Sequence, residues 1–183
     1  DLYGRGIRDG HELKMFIPGG ASAPWFFPEQ VDLPLEGRVV GGAGSMLGSG
    51  AIVVMDETTD AVRACLRVVR FFARESCGKC TPCREGTSWL EKILERVLDG
   101  HGRPEDLDLL LDVCDNISVG MNWPPKQTTI CPLGQSATSP IASAVTRFQD
   151  EFEAYVGGPA EITVEVKGPA FVGPVRQEVA ADA

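Results

Sequence analysis

The spacing of apolar residues changes along the chain from a strand-like to a helical pattern. Near the beginning, the apolar-rich run Glu12–Ile17 ends at Pro18-Gly19-Gly20, which predicts a β-strand followed by a turn. A second run, Ala51–Met55, is apolar and rich in β-branched residues, so we predict a buried strand there. Residues 1–56 are therefore expected to form a region of strands and loops.

Beyond residue 57, apolar residues recur every three or four positions, which predicts amphipathic helices. The four predicted helices cover residues 59–75, 84–99, 104–120 and 140–157. Gly100 and Gly120 are suited to end the second and third helices, and Pro140 is expected to begin the fourth. Four helices with short connections predict a small helical bundle.

These patterns predict an α+β protein with three parts. The expected domains are a β region at residues 1–56, a four-helix region at residues 57–156 and a tail at residues 157–183. The tail contains one strand-like alternation, Ile162–Val166, among Gly, Pro and Ala residues, so we expect it to be peripheral or partly disordered. The glycine-rich stretch Gly41–Gly50 precedes a strand rather than following one, which favours a flexible loop over a nucleotide-binding loop.

Charge and hydropathy exclude several classes of function. The formal net charge of −9 argues against a nucleic-acid-binding protein and against a polybasic membrane anchor. No apolar run is long enough to cross a bilayer, so we expect no direct membrane insertion. The chain begins at Asp1 and shows no secretory signal, and we expect it to be a piece of a longer protein in a reducing compartment.

Four of the six cysteines form the pattern that carries chemistry. Cys77, Cys80 and Cys83 are spaced by two residues, and Cys131 follows much later with Pro132 directly after it. Three neighbouring thiolates and one remote thiolate are a usual ligand set for a cubane [4Fe–4S] cluster. We therefore predict an electron-transfer protein with these four cysteines as ligands.

Other uses of the cysteines stay open at this point. A structural zinc site is the main rival, although zinc sites usually pair two Cys-x-x-Cys halves or use histidines, and His11 and His101 have no ligand spacing to the cysteines. A disulfide or a catalytic thiol is a further alternative. Cys65 and Cys114 lie on apolar helical faces, which predicts small buried residues rather than ligands.

Several motifs resemble one known family. Two runs carry the resemblance, namely Glu75-Ser76-Cys77-Gly78-Lys79-Cys80-Thr81-Pro82-Cys83-Arg84-Glu85-Gly86-Thr87 and Thr129-Ile130-Cys131-Pro132-Leu133-Gly134. They resemble two motifs of the NADH-binding flavoprotein subunit of respiratory complex I. Lys14–Gly20 and Gly48–Val54 are similar to its middle, ubiquitin-like β domain. Diaphorase subunits of NAD-dependent formate dehydrogenases and hydrogenases are close relatives of that family.

The resemblance implies a role as well as a fold. It implies that Cys77, Cys80, Cys83 and Cys131 ligate one [4Fe–4S] cluster, which relays single electrons from FMN, reduced by NADH, towards quinone. The expected partners are the N-terminal FMN and NADH domain and the two neighbouring iron–sulfur subunits of the complex, one smaller and one larger. The expected location is cytoplasmic, peripheral on the inner face of the plasma membrane as part of a complex, or on the mitochondrial matrix side if the protein is eukaryotic.

The chain departs from the family in two respects. The glycine-rich FMN and NADH site of the family has no counterpart in these residues, so we expect no FMN-binding, NAD-binding or catalytic residue here and no NADH oxidation by this chain alone. Gln135 stands where the family commonly has Asp. Two alternatives remain, namely a diaphorase subunit of a soluble formate dehydrogenase or hydrogenase, and a zinc-stabilised interaction domain.

Overall fold

The computed structural model describes Ile7 and residues 10–118 and 128–156, so the predicted tail and the predicted helix end at Gly120 lie outside the described residues. The two strands are β1 (Leu13–Ile17) and β2 (Val53–Asp56). The α-helices are α1 (Gly37–Gly42), α2 (Ala61–Glu75), α3 (Thr81–Arg96), α4 (Asp106–Ile117), α5 (Leu133–Arg147) and α6 (Gln149–Glu153). A 3₁₀ turn at Pro28–Gln30 and a π turn at Val97–His101 complete the described elements. The α+β class is confirmed.

The two strands pair antiparallel but differ in burial. Met15 and Ile17 of β1 point into the protein core and are 0% and 4% exposed. The prediction of a buried second strand is wrong, because Ile52, Val53 and Val54 are 43–49% exposed. The two strands differ in their surroundings: β1 is also bridged to Phe26 on its other side, whereas β2 pairs only with β1 among the described strands. Apolar composition predicts a strand, but it does not say which elements cover that strand.

One hydrophobic core joins the β region to the helices. Its buried members come from β1, from the loop that follows β1 and from α2, α3, α4 and α5. The loop contributes Trp25, whose backbone N–H donates to Ser143 Oγ of α5 at 3.1 Å. On α2, the N-cap residue Asp60 accepts a hydrogen bond from the backbone N–H of Arg63 at 2.9 Å. Helix α2 therefore begins two residues later than the predicted start at residue 59.

Helix α3 begins earlier than predicted, which changes the setting of two candidate ligands. Its N-cap is Cys80, and Cys83 lies in its first turn, whereas the sequence pattern predicted a start at residue 84. Pro82 is compatible with this position, because the first N–H groups of a helix have no intrahelical partner that proline could remove. The helical run continues through the π turn to Gly100, whose φ of +77° ends it.

The last predicted helix is wrong at its start. Helix α5 begins at Leu133 and contains Pro140 in its interior, where the sequence pattern predicted the first residue. The hydroxyls of Thr138 and Ser139 donate to the carbonyl of Gln135 at 3.0 and 2.9 Å, one turn before the proline. Because α5 is buried along most of its length, tertiary packing outweighs the cost of the proline. At Phe148 the chain turns into α6, so one predicted helix is two.

Two smaller differences concern the remaining helices. Helix α4 begins at Asp106 rather than at residue 104, and Pro104 lies in the turn before it. The short helix α1 was not predicted, because three of its six residues are glycines, which have low helix propensity. The rest of the glycine-rich stretch is not helical: Ala43–Gly50 forms turns and loop, as predicted.

A buried ion pair fixes the beginning of α4. The side chain of Asp106 is 1% exposed. It accepts hydrogen bonds from Arg96 Nε and from the backbone N–H of Arg103, both at 2.9 Å. Burial alone would raise the pKa of Asp106, but the hydrogen bonds from Arg96 and from the N–H of Arg103 outweigh it, so the pKa lies below its ordinary value. At pH values above the pKa that Asp106 has in the unfolded chain, the interaction therefore stabilises the fold. This stabilisation is lost as the pH falls through the lower pKa that Asp106 has in the folded protein.

We expect Asp106→Asn to reduce the free energy of unfolding at pH 7 by about 2 kcal/mol, because a charge-assisted hydrogen bond is lost from a buried site. The variant should also lose less stability than the wild type between pH 5 and pH 3, within the range where paired Asp residues become protonated. Urea unfolding followed by far-UV circular dichroism at several pH values measures both effects. Asp112→Asn is the matched control, because Asp112 is an exposed residue of the same helix.

Candidate iron–sulfur site

Three of the candidate ligands lie where α2 gives way to α3. Cys77 is in the connecting loop and is exposed, Cys80 is the N-cap of α3 and is partly buried, and Cys83 is buried in the first turn of that helix. The three thiols therefore lead from the surface into the protein interior. The predicted loop setting is correct for Cys77 and is replaced by a helix N-terminus for the other two.

The local electrostatics of this segment favour anionic sulfur. The positive end of the α3 dipole lies at Cys80 and Cys83, and such a position favours a bound anionic group. Lys79 and Arg84 place two cations in the same stretch of sequence. Arg84 also donates from Nη1 to the carbonyl oxygen of Gly78 at 2.7 Å, so its charge is held beside the cysteine loop.

A hydrogen-bonded turn shapes the loop before α3. Gly78 has a φ of +77°, in the left-handed region that favours glycine. Its backbone N–H donates to Ser76 Oγ at 3.4 Å, and Ser76 Oγ lies 3.3 Å from Cys83 Sγ. Ser76 has no role in the prediction made from sequence. A serine directly before a Cys-x-x-Cys-x-x-Cys run was the available signal, but only the turn at Gly78 brings its hydroxyl back to Cys83.

The loop that carries Cys131 reaches the cysteine group at the start of α3. The backbone N–H of Ile130 donates to Cys80 Sγ at 3.3 Å, although 50 positions separate the two residues. Cys131 itself is exposed and lies two residues before the first residue of α5. The structure therefore brings the remote cysteine loop into contact with the cysteine group at the start of α3.

Two glycines of the cysteine motifs allow the helices behind the site to approach closely. A Cβ atom on Gly86 of α3 would lie 2.5 Å from Ile117 Cδ1 of α4. A Cβ atom on Gly134 of α5 would lie 2.7 Å from Thr129 Oγ1, 2.8 Å from Thr129 Cγ2 and 3.2 Å from Ile117 Cγ2. Ile117 is therefore the common neighbour of both glycines. Any larger residue at either position would push apart the helices that carry the two cysteine loops.

Thr129 holds the backbone next to Cys131. Its Oγ1 donates to the carbonyl oxygen of Cys131 at 2.7 Å and lies 3.1 Å from the Gln135 side chain, which is 5% exposed. The hydroxyl has a single proton, so its contact with Gln135 is satisfied when the amide is oriented to donate from Nε2. An Asp at position 135 would have no proton to give in its ionised form. Glutamine at this position is thus compatible with the observed loop.

The spacing of the sulfur atoms bears on the choice between zinc and a cluster. Within residues 10–118 and 128–156, one group of three possible metal-binding residues has its ligand atoms within 4.8 Å of one another. It consists of His11, Asp56 and Glu57 and contains no cysteine. Tetrahedral zinc with bonds of about 2.3 Å requires sulfur atoms roughly 3.8 Å apart. A cubane binds each thiolate at a different iron, so it holds them farther apart. In the described residues, no three cysteine sulfurs therefore lie as close together as zinc would require.

The other two cysteines are confirmed as small buried residues. Cys65 of α2 and Cys114 of α4 are both 0% exposed. Burial raises the pKa of each thiol, and for Cys65 the neighbouring Cys114 raises it further. Such groups remain protonated at neutral pH and are poor metal ligands. Neither therefore competes with the four cysteines of the two motifs.

Two of the three tryptophans lie within the described residues. Trp25 is buried in the main core and Trp89 is 55% exposed on α3, while Trp123 lies outside the described residues.

In the part of the chain that the structure covers, no helix combines the length and the apolar character that a membrane span requires.

Comparison with known proteins identifies the family. A model of the family described as the NADH-ubiquinone oxidoreductase-F iron-sulfur binding region matches residues 63–155. The chain belongs to this family. A Mycobacterium tuberculosis protein, named as the F subunit of NADH-quinone oxidoreductase, is 49% identical over 156 residues, which are 85% of this chain and 33% of that protein. The Streptomyces coelicolor protein of the same name is 48% identical over 158 residues, which are 86% of this chain and 33% of that protein.

A solved structure shares the fold. The crystal structure of an NAD+-reducing [NiFe]-hydrogenase in the air-oxidized state superposes with a TM-score of 0.69 and 25% identity, over 90% of this chain and 26% of that chain. The chain spans about a third of the length of the curated relatives named above. Family membership confirms the resemblance seen in the sequence and the iron–sulfur class of cofactor.

We expect Gly134→Ala to lower the free energy of unfolding by about 1–3 kcal/mol, the usual cost of overpacking. Both branches of the Thr129 side chain lie within 2.8 Å of the new Cβ, so rotation of Thr129 cannot relieve the clash. The displaced Thr129 should also loosen the hydrogen bond from Ile130 to Cys80, which hydrogen exchange at the Ile130 amide would detect. Gly41→Ala is the control, because a Cβ there meets nothing within 4 Å; equal effects of the two substitutions would contradict this account.

Proposed function

We propose that this chain is the iron–sulfur portion of an NADH dehydrogenase flavoprotein subunit, in which Cys77, Cys80, Cys83 and Cys131 hold one [4Fe–4S] cluster. The observation that carries the proposal is the hydrogen bond from Ile130 N–H to Cys80 Sγ, because it joins the remote cysteine loop to the group of three. When bound, such a cluster accepts and donates one electron at a time. The membership of the iron–sulfur binding family supports the same assignment.

The residues of this chain would perform three tasks for the cluster. The four thiolates hold it, with Cys83 at the buried side and Cys77 and Cys131 at the exposed side. The α3 N-terminus, Lys79 and Arg84 offset its negative charge. The backbone N–H of Ile130 donates to Cys80 Sγ, and such hydrogen bonds to ligand sulfur set the reduction potential. No acid or base is required of this chain.

The reaction of the whole protein extends beyond these residues. Relatives about three times as long are named as the F subunit of NADH-quinone oxidoreductase. We infer that NADH reduces FMN in a region of the full subunit outside this chain, and that this chain relays single electrons from the flavin towards quinone. The expected neighbours are that FMN and NADH domain and the smaller and larger iron–sulfur subunits, in a complex on the cytoplasmic side of the membrane. This chain alone should not oxidise NADH.

We also propose a division of the chain within the full subunit. Residues 1–56 would belong to a ubiquitin-like β domain, residues 57–156 to a four-helix iron–sulfur domain and residues 157–183 to a separate tail. The antiparallel pair of β1 and β2 supports the first assignment, and the mutual packing of α2, α3, α4 and α5 supports the second. The hydrophobic core shared by Trp25 and these helices implies that the two domains stabilise each other.

A second function has a specific observation in its favour. The structural similarity to an NAD+-reducing [NiFe]-hydrogenase supports a diaphorase role, in which the same cluster would serve a soluble dehydrogenase or hydrogenase. The two roles differ in their partner subunits and electron acceptor. Purification of the native complex separates them, if NADH oxidation is then assayed with a quinone and, separately, coupled to formate or hydrogen turnover. A membrane-associated complex that reduces quinone supports the first role.

We expect Cys80→Ser in the anaerobically purified full subunit to abolish the iron–sulfur absorption and the low-temperature electron paramagnetic resonance (EPR) signal of this cluster. The variant should also be less stable, because ligation contributes to folding. Cys65→Ala is the matched control and should retain the iron, the sulfide and the signal, because Cys65 lies in the core away from the motifs. Iron and sulfide quantitation provides the measurement. A colourless wild-type protein that contains zinc would instead support the zinc-stabilised interaction domain.

A further inference from the structure

A side-chain hydroxyl lies against one of the four candidate ligands. Ser76 Oγ is 3.3 Å from Cys83 Sγ, a hydrogen-bonding distance for oxygen and sulfur. The other donor described above, the backbone N–H of Ile130, reaches Cys80 Sγ at the same distance. A backbone donor is present with almost any residue at its position, whereas the hydroxyl depends on the choice of serine at position 76. The serine therefore adds to the site a donor that its backbone does not provide.

The end of α2 fixes the position of Ser76. Ser76 is the C-cap residue of α2, and its backbone N–H donates to the carbonyl oxygen of Phe72 at 3.0 Å. Phe72 is 5% exposed, so the last turn of α2 is anchored in the buried part of the protein. The hydroxyl of Ser76 therefore meets Cys83 from the end of a packed helix.

The first turn of α3 fixes the position of Cys83. Cys83 is 7% exposed, and its carbonyl oxygen accepts a hydrogen bond from Thr87 Oγ1 at 2.7 Å. Thr87 lies one turn farther along α3 and is 0% exposed. Because α2 and α3 pack against each other, the distance between the Ser76 hydroxyl and the Cys83 sulfur is set by two helices as well as by the loop between them.

The hydroxyl of Ser76 has its proton available for sulfur. A hydroxyl carries one proton and two lone pairs. Ser76 Oγ accepts from the backbone N–H of Gly78 at 3.4 Å, and this contact uses a lone pair and not the proton. A thiolate bound to iron has no proton to give, so with the proposed cluster the pair has one arrangement, in which Ser76 donates and Cys83 accepts.

We propose that Ser76 is a positioning residue, which acts through Cys83 and raises the reduction potential of the proposed cluster. The inference deepens the function proposed above and rests on it. Hydrogen bonds to the sulfurs are among the factors that set the potential of an iron–sulfur cluster. One-electron reduction adds a negative charge to a cluster that four thiolates already make anionic, so a donor stabilises the reduced state more than the oxidised one. Ser76 keeps its proton throughout, and none of its bonds is made or broken.

Burial makes Cys83 a ligand at which such a donor has a large effect. Cys77 and Cys131 are exposed, and water can donate to their sulfurs. Cys83 is buried, where water competes less and a hydrogen bond is electrostatically stronger. Solvent would therefore replace a lost donor less readily at Cys83 than at the two exposed ligands.

A purely structural role for Ser76 predicts a different result. The capping bond to Phe72 uses the backbone N–H of Ser76, which alanine also provides. The contact with Gly78 does use the serine oxygen, but it is long, at 3.4 Å. A serine that only shaped the turn would change the amount of bound cluster or the stability of the protein. It would not change the potential of the cluster that remains bound.

An EPR-monitored redox titration of the anaerobically purified full subunit tests the inference. Ser76→Ala should shift the reduction potential of this cluster to a more negative value. The expected change in the equilibrium between reduced and oxidised cluster is up to about tenfold, which is about 59 mV for a one-electron couple. Iron and sulfide content should be unchanged. Ser76→Thr should restore the wild-type potential, because threonine keeps the hydroxyl.

Pulsed EPR in D₂O provides a readout of the hydrogen bond itself. In the wild type, the deuteron of the Ser76 hydroxyl should show a hyperfine coupling to the reduced cluster. We expect this coupling to be absent from Ser76→Ala and present again in Ser76→Thr. The backbone N–H groups of Gly78 and Ile130 also exchange with solvent, and their couplings should be common to all three proteins.

Two variants of α3 serve as controls. Ser88→Ala removes a hydroxyl that makes none of the contacts with Cys83 described above, and it should leave the potential unchanged. Thr87→Val removes, at nearly constant volume, the hydroxyl that binds the carbonyl oxygen of Cys83 rather than its sulfur. Thr87→Val should lower the stability of the protein, and its effect on the potential should be smaller than that of Ser76→Ala.

Three results would overturn the inference. The first is an unchanged potential in a fully loaded Ser76→Ala variant. The second is an equal shift in Ser76→Ala and Thr87→Val, which would assign the effect to displacement of Cys83. The third is loss of the cluster from Ser76→Ala, which would show a structural role. A wild-type subunit without any iron–sulfur cluster would instead refute the proposed function itself, so the two failures are distinguishable.

Discussion

The contact between the amide of Ile130 and the sulfur of Cys80 connects two halves of a site that lie far apart in sequence. A group of thiolates is stable only where nearby donors and cations offset its charge, and helix N-termini provide such donors. Helix α3 begins at this group, and α5 begins two residues after Cys131. The meeting of these two helix starts is the constraint that the remaining packing must satisfy.

The helices behind the site satisfy this constraint by approaching closely. Gly86 and Gly134 leave room for the side chain of Ile117, so α3 and α5 both pack closely against α4 at these positions. The same glycines belong to the two cysteine motifs, which explains in packing terms why small residues accompany the ligands. Trp25 and Ser143 extend the same core to the β region, so strands and helices support one another.

The charges of the protein are arranged in local groups rather than evenly. The total charge is strongly negative, yet four arginines concentrate along the outer face of α2. The ion pair of Arg96 with the buried Asp106 holds the beginning of α4, while Arg67 and Arg74 form no ion pair with any residue that the structure describes.

Features that follow from local patterns could be predicted from the amino-acid sequence alone. Cysteine spacing predicted the candidate ligands, and apolar periodicity predicted β1, α2 and the burial of Cys65 and Cys114. Local patterns did not predict that Cys83 lies in a helix, that α5 continues through Pro140, or that β2 is exposed. Burial, sheet position and the folding of a turn onto Cys83 depend on contacts between distant segments. These features become visible in the folded protein, because such contacts outweigh local propensity.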